Sequence, residues 1–130
     1  MFDHSKIDFQ VEKFSIVALD SGMPVPLNVG VGLRRKDNLQ ALAIVSEEYE
    51  PVQYNEIVSG VEEALAFARL DLTDATFTTN VYDNGSKLEL RAKFPAHEMS
   101  MREDKDSIVP EFVFRTSHNR TWANSGILGS

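Results

Sequence analysis

Apolar and polar residues alternate on both sides of the dipeptide Asn84-Gly85, which is the strongest short signal for a type I′ hairpin corner. The corner places Tyr82 opposite Lys87, with the apolar residues on one face of the sheet and the polar residues on the other. The same register predicts three further opposing pairs: Val81 with Leu88, Thr79 with Leu90, and Phe77 with Ala92. Residues 76–93 are therefore predicted to form a half-buried antiparallel hairpin.

A second hairpin is predicted upstream, with a turn centred on residues 37–38. Its opposing pairs are Arg34 with Ala41, Leu33 with Leu42, and Val31 with Ile44. Two interior glycines, Gly30 and Gly32, leave the other face of this hairpin nearly bare at one end. Interior glycines often mark a bulge or the close approach of another group, and either feature is expected here.

Between the hairpins, apolar residues recur at the spacing of one helical face. These residues are Ile57, Val61, Leu65 and Ala68. They predict an amphipathic helix over about residues 54–68, and two more strands are predicted at 14–19 and 110–116. The order of strands, helix and strands indicates an α+β fold: a curved antiparallel sheet of about five to six strands with one main helix packed across it.

The chain has 130 residues, about the length of one domain with a core of its own. We expect a single domain over 1–130, with loose termini at 1–12 and 123–130 and a mobile, polar loop at 96–107. The first residues do not read as a signal peptide, and no apolar run approaches the roughly 18 residues that span a bilayer. The sequence thus predicts a protein of the host cell cytoplasm with no membrane partner.

Charge is distributed unevenly along the chain, whose formal net charge is −7. Residues 1–83 hold six of the 13 basic residues but fourteen of the 20 acidic ones, whereas residues 84–130 hold seven basic and six acidic residues. An acidic total lowers the expectation of nucleic-acid binding, but it allows a local basic surface. The chain has no cysteine, which excludes disulfides, thiolate metal sites and a cysteine nucleophile.

The sequence offers few candidates for catalysis or metal binding. The three histidines, His4, His97 and His118, have no ligand spacing, and no phosphate-loop, nucleophile-elbow or zinc motif is present. Ser117, His118 and Asn119 are adjacent, whereas a nucleophile and its base usually meet through the fold. A turn held by side-chain hydrogen bonds explains this run more simply. We therefore expect no enzyme activity, no metal and no cofactor.

Basic and aromatic residues give the clearest functional indication. Proteins that bind single-stranded DNA place cations along the phosphates and exposed aromatic rings against the bases. The polar face of the 76–93 hairpin offers both, and the upstream hairpin tip and the last part of the chain add further cations. The candidate nucleic-acid-binding residues are Lys87, Arg91, Lys93, Tyr82, Arg34, Arg35, Lys36, Arg115, Arg120 and Trp122.

Two other interpretations compete with DNA binding. Glu89 in the middle of the basic row favours an outer sheet face that is merely solvated. In the other interpretation, an acidic surface imitates the charge of DNA and binds a basic host or phage protein; its carboxylates are Glu47, Glu48, Glu50, Glu56, Glu62 and Glu63. A DNA binder should lose affinity steeply as salt rises, whereas a mimic should bind no DNA.

Two segments of the chain carry recognisable motifs. In residues 42–65, a strand that ends in Val-Ser is followed by a Tyr-x-Pro-Val-Gln turn and a helix; the motif residues are Val45, Ser46, Tyr49, Pro51, Val52, Gln53 and Asn55. In residues 109–119, a strand leads into Ser117, His118 and Asn119. Both motifs resemble those of a phage and plasmid family known only as domain of unknown function 932.

The resemblance implies an origin in a mobile element and implies no particular activity. It spans about residues 28–120, and the chain departs from the second motif at Thr116, where the family has Asn, and at Arg120, where it has Gly. Small proteins that bind single-stranded DNA in phage replication, recombination or transcription form a class into which the chain fits. We therefore expect a phage-encoded, non-enzymatic single-stranded DNA-binding protein that forms homo-oligomers and can recruit a polymerase or another phage or host protein.

Overall fold

The computed structural model describes residues 1–100, 107–118 and 125–129. In chain order the elements are a 3₁₀ turn at His4–Lys6, β1 (Val11–Asp20), β2 (Met23–Arg35), β3 (Ala41–Val45), α1 (Tyr54–Phe67), β4 (Thr76–Tyr82), a 3₁₀ turn at Asp83–Gly85, β5 (Lys87–Lys93), a 3₁₀ turn at Pro95–His97, β6 (Met99–Ser100), β7 (Ser107–Ile108), β8 (Glu111–Ser117) and β9 (Ser125–Gly129). The strands form antiparallel sheets in the orders β1-β2-β3, β4-β5-β8-β9 and β6-β7.

The predicted α+β class is confirmed, but the single curved sheet of five to six strands is wrong. The strands described divide into sheets of three, four and two, and these sheets are not strongly curled. The connection and helix of residues 46–75 separate the first three strands from the later ones. The strands of each group pair with one another and not with strands of the other group.

The β4-β5 hairpin has the predicted register at all four pairs, from Tyr82 opposite Lys87 back along the strands. Its corner is also the predicted one. The Ser86 N–H donates to the Asp83 carbonyl at 3.1 Å, and the two residues between have φ values of 59° at Asn84 and 105° at Gly85. Positive φ at both central positions is what a type I′ turn requires. Asp83 also has a positive φ, of 52°, and Ser86 is helical, so the strands pair only as far as Tyr82 and Lys87 and the connection is four residues long.

The register predicted for the upstream hairpin is only partly correct. Arg34 lies opposite Ala41 as expected, but the pairing shifts between Leu33 and Arg34. The pairs beyond this irregularity are Leu33 with Ala43, Gly32 with Ile44, and Val31 with Val45. Because a bulge adds a residue to one strand, a turn position by itself could not define this register.

Two close approaches explain the glycines of β2. The ring of Phe14 lies over Gly32, where any added Cβ would collide with it. A Cβ at Gly30 would likewise collide with the Val45 carbonyl, and φ at Gly30 is +115°. The predicted close approach of other groups is therefore confirmed at both positions.

The main core lies between α1, the inner face of the four-stranded sheet and the N-terminal segment. Its buried residues are Phe2, Ile7, Phe9, Val11, Tyr54, Val58, Leu65, Leu88, Leu90, Ala92 and Phe94. A helix is only about 10 Å wide with its side chains, so part of the sheet is left for other residues to cover. The N-terminal segment, which we expected to be loose over residues 1–12, covers it.

Helix α1 begins at the predicted residue and ends one residue earlier than predicted. It buries Tyr54, Val58 and Leu65 against the core, whereas Ala68, which the pattern placed on the apolar face, is exposed. The buried face of α1 is therefore rotated toward Tyr54 relative to the predicted apolar face. The inner sheet face and the N-terminal segment together determine which side of the helix is buried.

Two segments predicted to be loose contain strands instead. Residues 99–100 pair with 107–108 inside the expected mobile loop of 96–107, and residues 101–106 lie outside the described part of the chain. Strand β9 pairs with β8 inside the expected loose terminus of 123–130. The strand edge of β8 offers unpaired backbone groups, which a polar or glycine-rich segment can still satisfy.

Candidate nucleic-acid interface

The outer face of the four-stranded sheet, meaning the side opposite the core, carries the polar residues predicted for DNA binding. Strands β4, β5 and β8 supply its described side chains: Thr76, Thr78, Asn80, Tyr82, Lys87, Glu89, Arg91, Lys93, Glu111, Val113, Arg115 and Ser117. The register brings Lys87, Arg91 and Lys93 into one row beside Tyr82, as the sequence predicted. It also brings Arg115 next to Glu89, and Glu111 next to Lys93.

Carboxylates bind the arginines of this row. Arg91 donates from Nε to Glu89 Oε1 at 2.7 Å and from Nη1 to Glu111 Oε1 at 2.9 Å. Arg115 donates from Nε to the other oxygen of Glu89 at 2.8 Å. Glu111, Arg91, Glu89 and Arg115 therefore form one continuous chain of ion pairs across two strands. The sequence missed this chain because β8 joins β5 only in the folded sheet.

Glu89 is the buried centre of the ion-pair chain, with only 5% of its surface exposed. Burial raises the pKa of its carboxyl, but hydrogen bonds and charge from Arg91 and Arg115 outweigh that effect, and the pKa lies below its usual value. The two carboxylates in turn raise the pKa of Arg91 further. The ion pairs hold the side chains of Arg91, Glu89 and Arg115 in fixed positions.

The remaining cations of the outer face differ in their surroundings. Lys87 lies 3.1 Å from the Asp83 carboxylate, at the hairpin corner. Lys93 is exposed at the far end of the row. Two grooves follow the row: one of about 320 Å³ is lined by threonines with Arg91 and Lys93, and one of about 310 Å³ is lined by Tyr82, Lys87 and acidic residues. The Tyr82 side chain is 43% exposed and borders the second groove.

The upstream arginines bind within the fold and do not extend this row. Arg34 donates from Nε to Glu12 at 2.9 Å, and its guanidinium lies 5.2 Å from the Phe14 ring centroid. This placement does not support the prediction that Arg34 neutralises phosphate, because its charge is paired with the Glu12 carboxylate. Lys36, at the same hairpin tip, is exposed.

Arg35 joins the tips of the two hairpins. Its guanidinium lies 3.9 Å from the Phe9 ring centroid and donates to the Asn84 carbonyl at 3.0 Å. It also donates from Nε and Nη2 to the two carboxylate oxygens of Asp37 at 2.9 and 2.6 Å. A guanidinium fork suits such bidentate contact. Arg35 therefore has a structural role that sequence reasoning did not identify. The last two candidates, Arg120 and Trp122, lie outside the described residues.

The two motif segments that resemble the phage and plasmid family meet in space. A cavity of about 140 Å³ lies between the segment before α1, the first turn of α1 and the end of β8. Its lining is Tyr49, Glu50, Val52, Tyr54, Ile57, Thr116, Ser117 and His118. Residues of both segments therefore line one cavity, which the sequence alone could not show.

His118 is the most buried histidine of the described chain and lies in this cavity wall. Its ring stacks on Tyr54 with centroids 4.3 Å apart, and Nε2 has no hydrogen-bond partner among the described residues. Burial lowers the pKa of His118 to about 4, so the ring is neutral at physiological pH. The backbone N–H of His118 donates to the Ser86 carbonyl at 2.7 Å, which ties the end of β8 to the β4-β5 corner.

The acidic residues of the competing interpretation also differ in their surroundings. Glu62 binds the N-terminal amine at 3.3 Å and His4 at 2.7 Å, and Glu50 binds Lys13 at 3.0 Å. The other four are exposed and make no ion pair within the described part of the chain; they are Glu47, Glu48, Glu56 and Glu63.

Comparisons with protein-family models, with curated proteins and with solved structures find no match to this chain. The resemblance to domain of unknown function 932 therefore stays a prediction. Across residues 1–100, 107–118 and 125–129, no helix has the length and apolar character needed to cross a bilayer.

Proposed function

We propose that the protein is a phage-encoded, non-enzymatic protein that binds single-stranded DNA on the outer face of the four-stranded sheet. The observation that carries this proposal is the side-by-side placement of an exposed tyrosine, two grooves and four cations on one face of an acidic chain. Threonine hydroxyls line the larger groove, where they can donate to phosphate oxygens or base edges. Bases stack on aromatic rings whatever their sequence, so the site suits single strands.

The ion pairs change the expected energetics of binding. Three cations of the outer face, Lys87, Arg91 and Arg115, form ion pairs with the carboxylates of Asp83, Glu89 and Glu111. Lys93 is exposed and makes no ion pair with the described residues, so the four cations exceed the three carboxylates by one. Such a face neutralises only about one or two phosphates, and each contributes a slope of about −0.7 to the dependence of log K on log salt for single strands. We therefore expect affinity to fall by no more than about sevenfold between 50 and 200 mM salt, which replaces the steep dependence expected from a row of unpaired cations.

Stacking then supplies the larger share of affinity. A base stacked on Tyr82 contributes about 1–3 kcal/mol, which corresponds to a five- to hundredfold change in Kd at roughly 1.4 kcal/mol per tenfold. The guanidiniums of Arg91 and Arg115 are held in fixed orientations by Glu89, so they contribute position more than net charge.

The test is fluorescence anisotropy of a labelled single-stranded oligonucleotide, with the matching duplex as competitor, at two salt concentrations. Tyr82→Ala should weaken binding about tenfold or more, and Lys93→Ala should weaken it less and reduce the salt slope by about 0.7. Phe67→Ala is the matched control, because Phe67 is an aromatic residue that is 89% exposed on α1, away from the outer face. Binding that is absent, or equal in the wild type and Tyr82→Ala, would contradict the proposal.

A second candidate function is an acidic protein that occupies the DNA site of a basic partner. Four exposed carboxylates before and along α1 favour it, because they make no ion pair with the residues that the structure describes and are accessible to an incoming protein. In that case the wild type should bind no oligonucleotide and should displace DNA from a basic DNA-binding protein. Glu56→Gln with Glu63→Gln should then weaken the competition, whereas Tyr82→Ala should leave it unchanged.

A further inference from the structure

Strand β1 has an outer backbone edge that no described strand covers. It is the end strand of the β1-β2-β3 sheet, and its only strand partner among the described residues is β2. At the start of the strand, the side-chain amide of Gln53 closes this edge by bonding the N–H and the C=O of Val11, at 2.9 and 3.1 Å. No hydrogen bond within the described chain closes it between residues 14 and 19.

The β1-β2 turn shows which backbone groups point outward. Ser21 and Gly22 have φ values of 52° and 82°, which fit a two-residue type I′ turn between Asp20 and Met23. The pair that flanks such a turn is hydrogen-bonded, so the next pair, Leu19 with Pro24, is not. The N–H and C=O of Leu19 therefore point away from β2, and by alternation so do those of Val17.

The two edges of the β1-β2 ribbon differ in the chemistry that protects them. Pro24 and Pro26 occupy the non-hydrogen-bonded positions of β2, so their missing N–H groups fall on the outer edge of β2 and make it a poor template for another strand. Strand β1 has no proline, and residues 14–19 have no charge. Lysine and proline are the residues that normally keep an edge strand from pairing, and residues 14–19 of this edge include neither.

The side chains beside the open edge are apolar and exposed, with Leu19 at 77% and Val17 at 48%. Residues 14–33 contain a single charged residue, Asp20, in a chain that is 25% charged and has a net charge of −7. Two copies of so acidic a chain repel each other over most of their surface. The ribbon is the surface where they can approach without that cost.

We propose that β1 pairs antiparallel with β1 of a second copy of this chain, about a two-fold axis at Ala18. In this register Val17 of one copy lies opposite Leu19 of the other, and each such pair exchanges both N–H···O bonds. Ala18 then faces its own counterpart in a non-hydrogen-bonded pair, where strands are closest and a small side chain fits. The result is one sheet of six strands with an isologous interface.

The interface places four apolar side chains, those of Val17 and Leu19 in each copy, in cross-strand contact. Because the paired edge is short, the dimer is weak, and the fraction of protein in dimers rises with protein concentration. It would give two outer faces to one strand of DNA, which raises the affinity of a weak site. The interface itself does not depend on DNA binding, and its test contains no DNA.

The first test is a cysteine cross-link, for which the absence of native cysteine gives a clean background. An antiparallel non-hydrogen-bonded pair has Cα atoms about 4.5 Å apart, within the roughly 4.4–6.8 Å range of disulfides. Ala18→Cys should form a disulfide-linked dimer under mild oxidation about tenfold faster than Ile44→Cys, since pairing raises the local thiol concentration. Ile44 is the matched control because it is 65% exposed on β3, at the other side of the sheet.

The second test is sedimentation velocity from micromolar to millimolar concentration. The wild type and Ile44→Lys should associate as concentration rises, whereas Leu19→Lys should stay monomeric because it adds a charge to the edge. Circular dichroism confirms that both variants are folded. A wild type that stays monomeric, or equal cross-linking rates for Ala18→Cys and Ile44→Cys, would overturn the proposal. The β1 edge would then not be an interface between two copies of this chain.

Discussion

The β4-β5 hairpin and the β1-β2 ribbon are both antiparallel strand pairs with positive φ at their turns, yet the hairpin buries its apolar residues and the ribbon exposes them. In the β4-β5 hairpin, Leu88 and Leu90 are fully buried under α1 and the N-terminal segment. In the ribbon, Leu19 and Met23 stand in solvent on strands of the same kind. A strand pair thus buries its apolar face only where other elements of the chain cover it.

The polar residues of the two hairpins show the same dependence on neighbours. Strand β8 gives the outer face of β5 the arginine and the carboxylate that complete its ion-pair chain. In the part of the chain that the structure describes, no third strand pairs with the β1-β2 ribbon between residues 15 and 30; β3 pairs with β2 only from Val31 onward. The outer face of the β4-β5 hairpin therefore has charged residues that are paired within the fold. The β1-β2 ribbon instead has exposed apolar side chains beside a strand edge that no described strand covers.

Core truncation gives the largest expected contrast between the two regions. Leu88→Ala should lower the free energy of unfolding by about 3 kcal/mol, because it removes a fully buried side chain and leaves a cavity. Met23→Ala should change it by less than about 0.5 kcal/mol, since the Met23 side chain is 67% exposed. Urea unfolding of dilute protein measures both. Equal losses would show that the ribbon is packed in solution as tightly as the core.

The second prediction concerns His118, which connects β8 to the β4-β5 corner. Its folded pKa of about 4 lies below the ordinary histidine value of 6.5, so the unfolded chain binds more protons between these values. The contribution of His118 to the free energy of unfolding is fully present above pH 6.5 and decreases as the pH falls toward 4. Between pH 7 and pH 5 the free energy of unfolding should fall by about 2 kcal/mol. Urea unfolding at the two pH values measures the loss.

His118→Phe separates this effect from the titration of other groups. Phenylalanine keeps an aromatic ring beside Tyr54 and cannot bind a proton, so the variant should lose about 2 kcal/mol less than the wild type over the same pH interval. Because the variant lacks the His118 imidazole, the pH dependence of stability that it retains comes from other groups, chiefly the carboxylates. If both proteins lose equal stability, His118 is not a buried neutral group in solution.

Two glycines provide a contrast of opposite signs. Gly32→Ala should destabilise the fold by about 1–3 kcal/mol, because its Cβ would meet the Phe14 ring. Gly60→Ala should stabilise it by about 1 kcal/mol, since Gly60 is exposed inside α1 with nothing within 4 Å of an added Cβ. Thermal unfolding of the two variants checks the pair. A stabilising Gly32→Ala would mean that Phe14 does not cover the ribbon in solution.

Local signals in the sequence predicted several elements well. The position of the Asn84-Gly85 corner gave the register of β4 and β5 pair by pair, because a known turn centre and alternating side chains leave a single consistent pairing. The span of α1 followed from helical spacing in the same way. The upstream hairpin failed at its bulge, since the extra residue has no signature beyond the glycines nearby.

The sequence by itself determined that this chain forms an α+β fold with a polar hairpin face on which Tyr82 lies beside a row of cations. Only the tertiary structure decided that Glu89 binds Arg91 and Arg115, that Arg35 joins the two hairpin tips, and that the N-terminal residues belong to the core. The physical reason is range. Turn geometry and side-chain alternation act over a few residues of chain, whereas ion pairs and burial depend on which distant segments arrive at the same place.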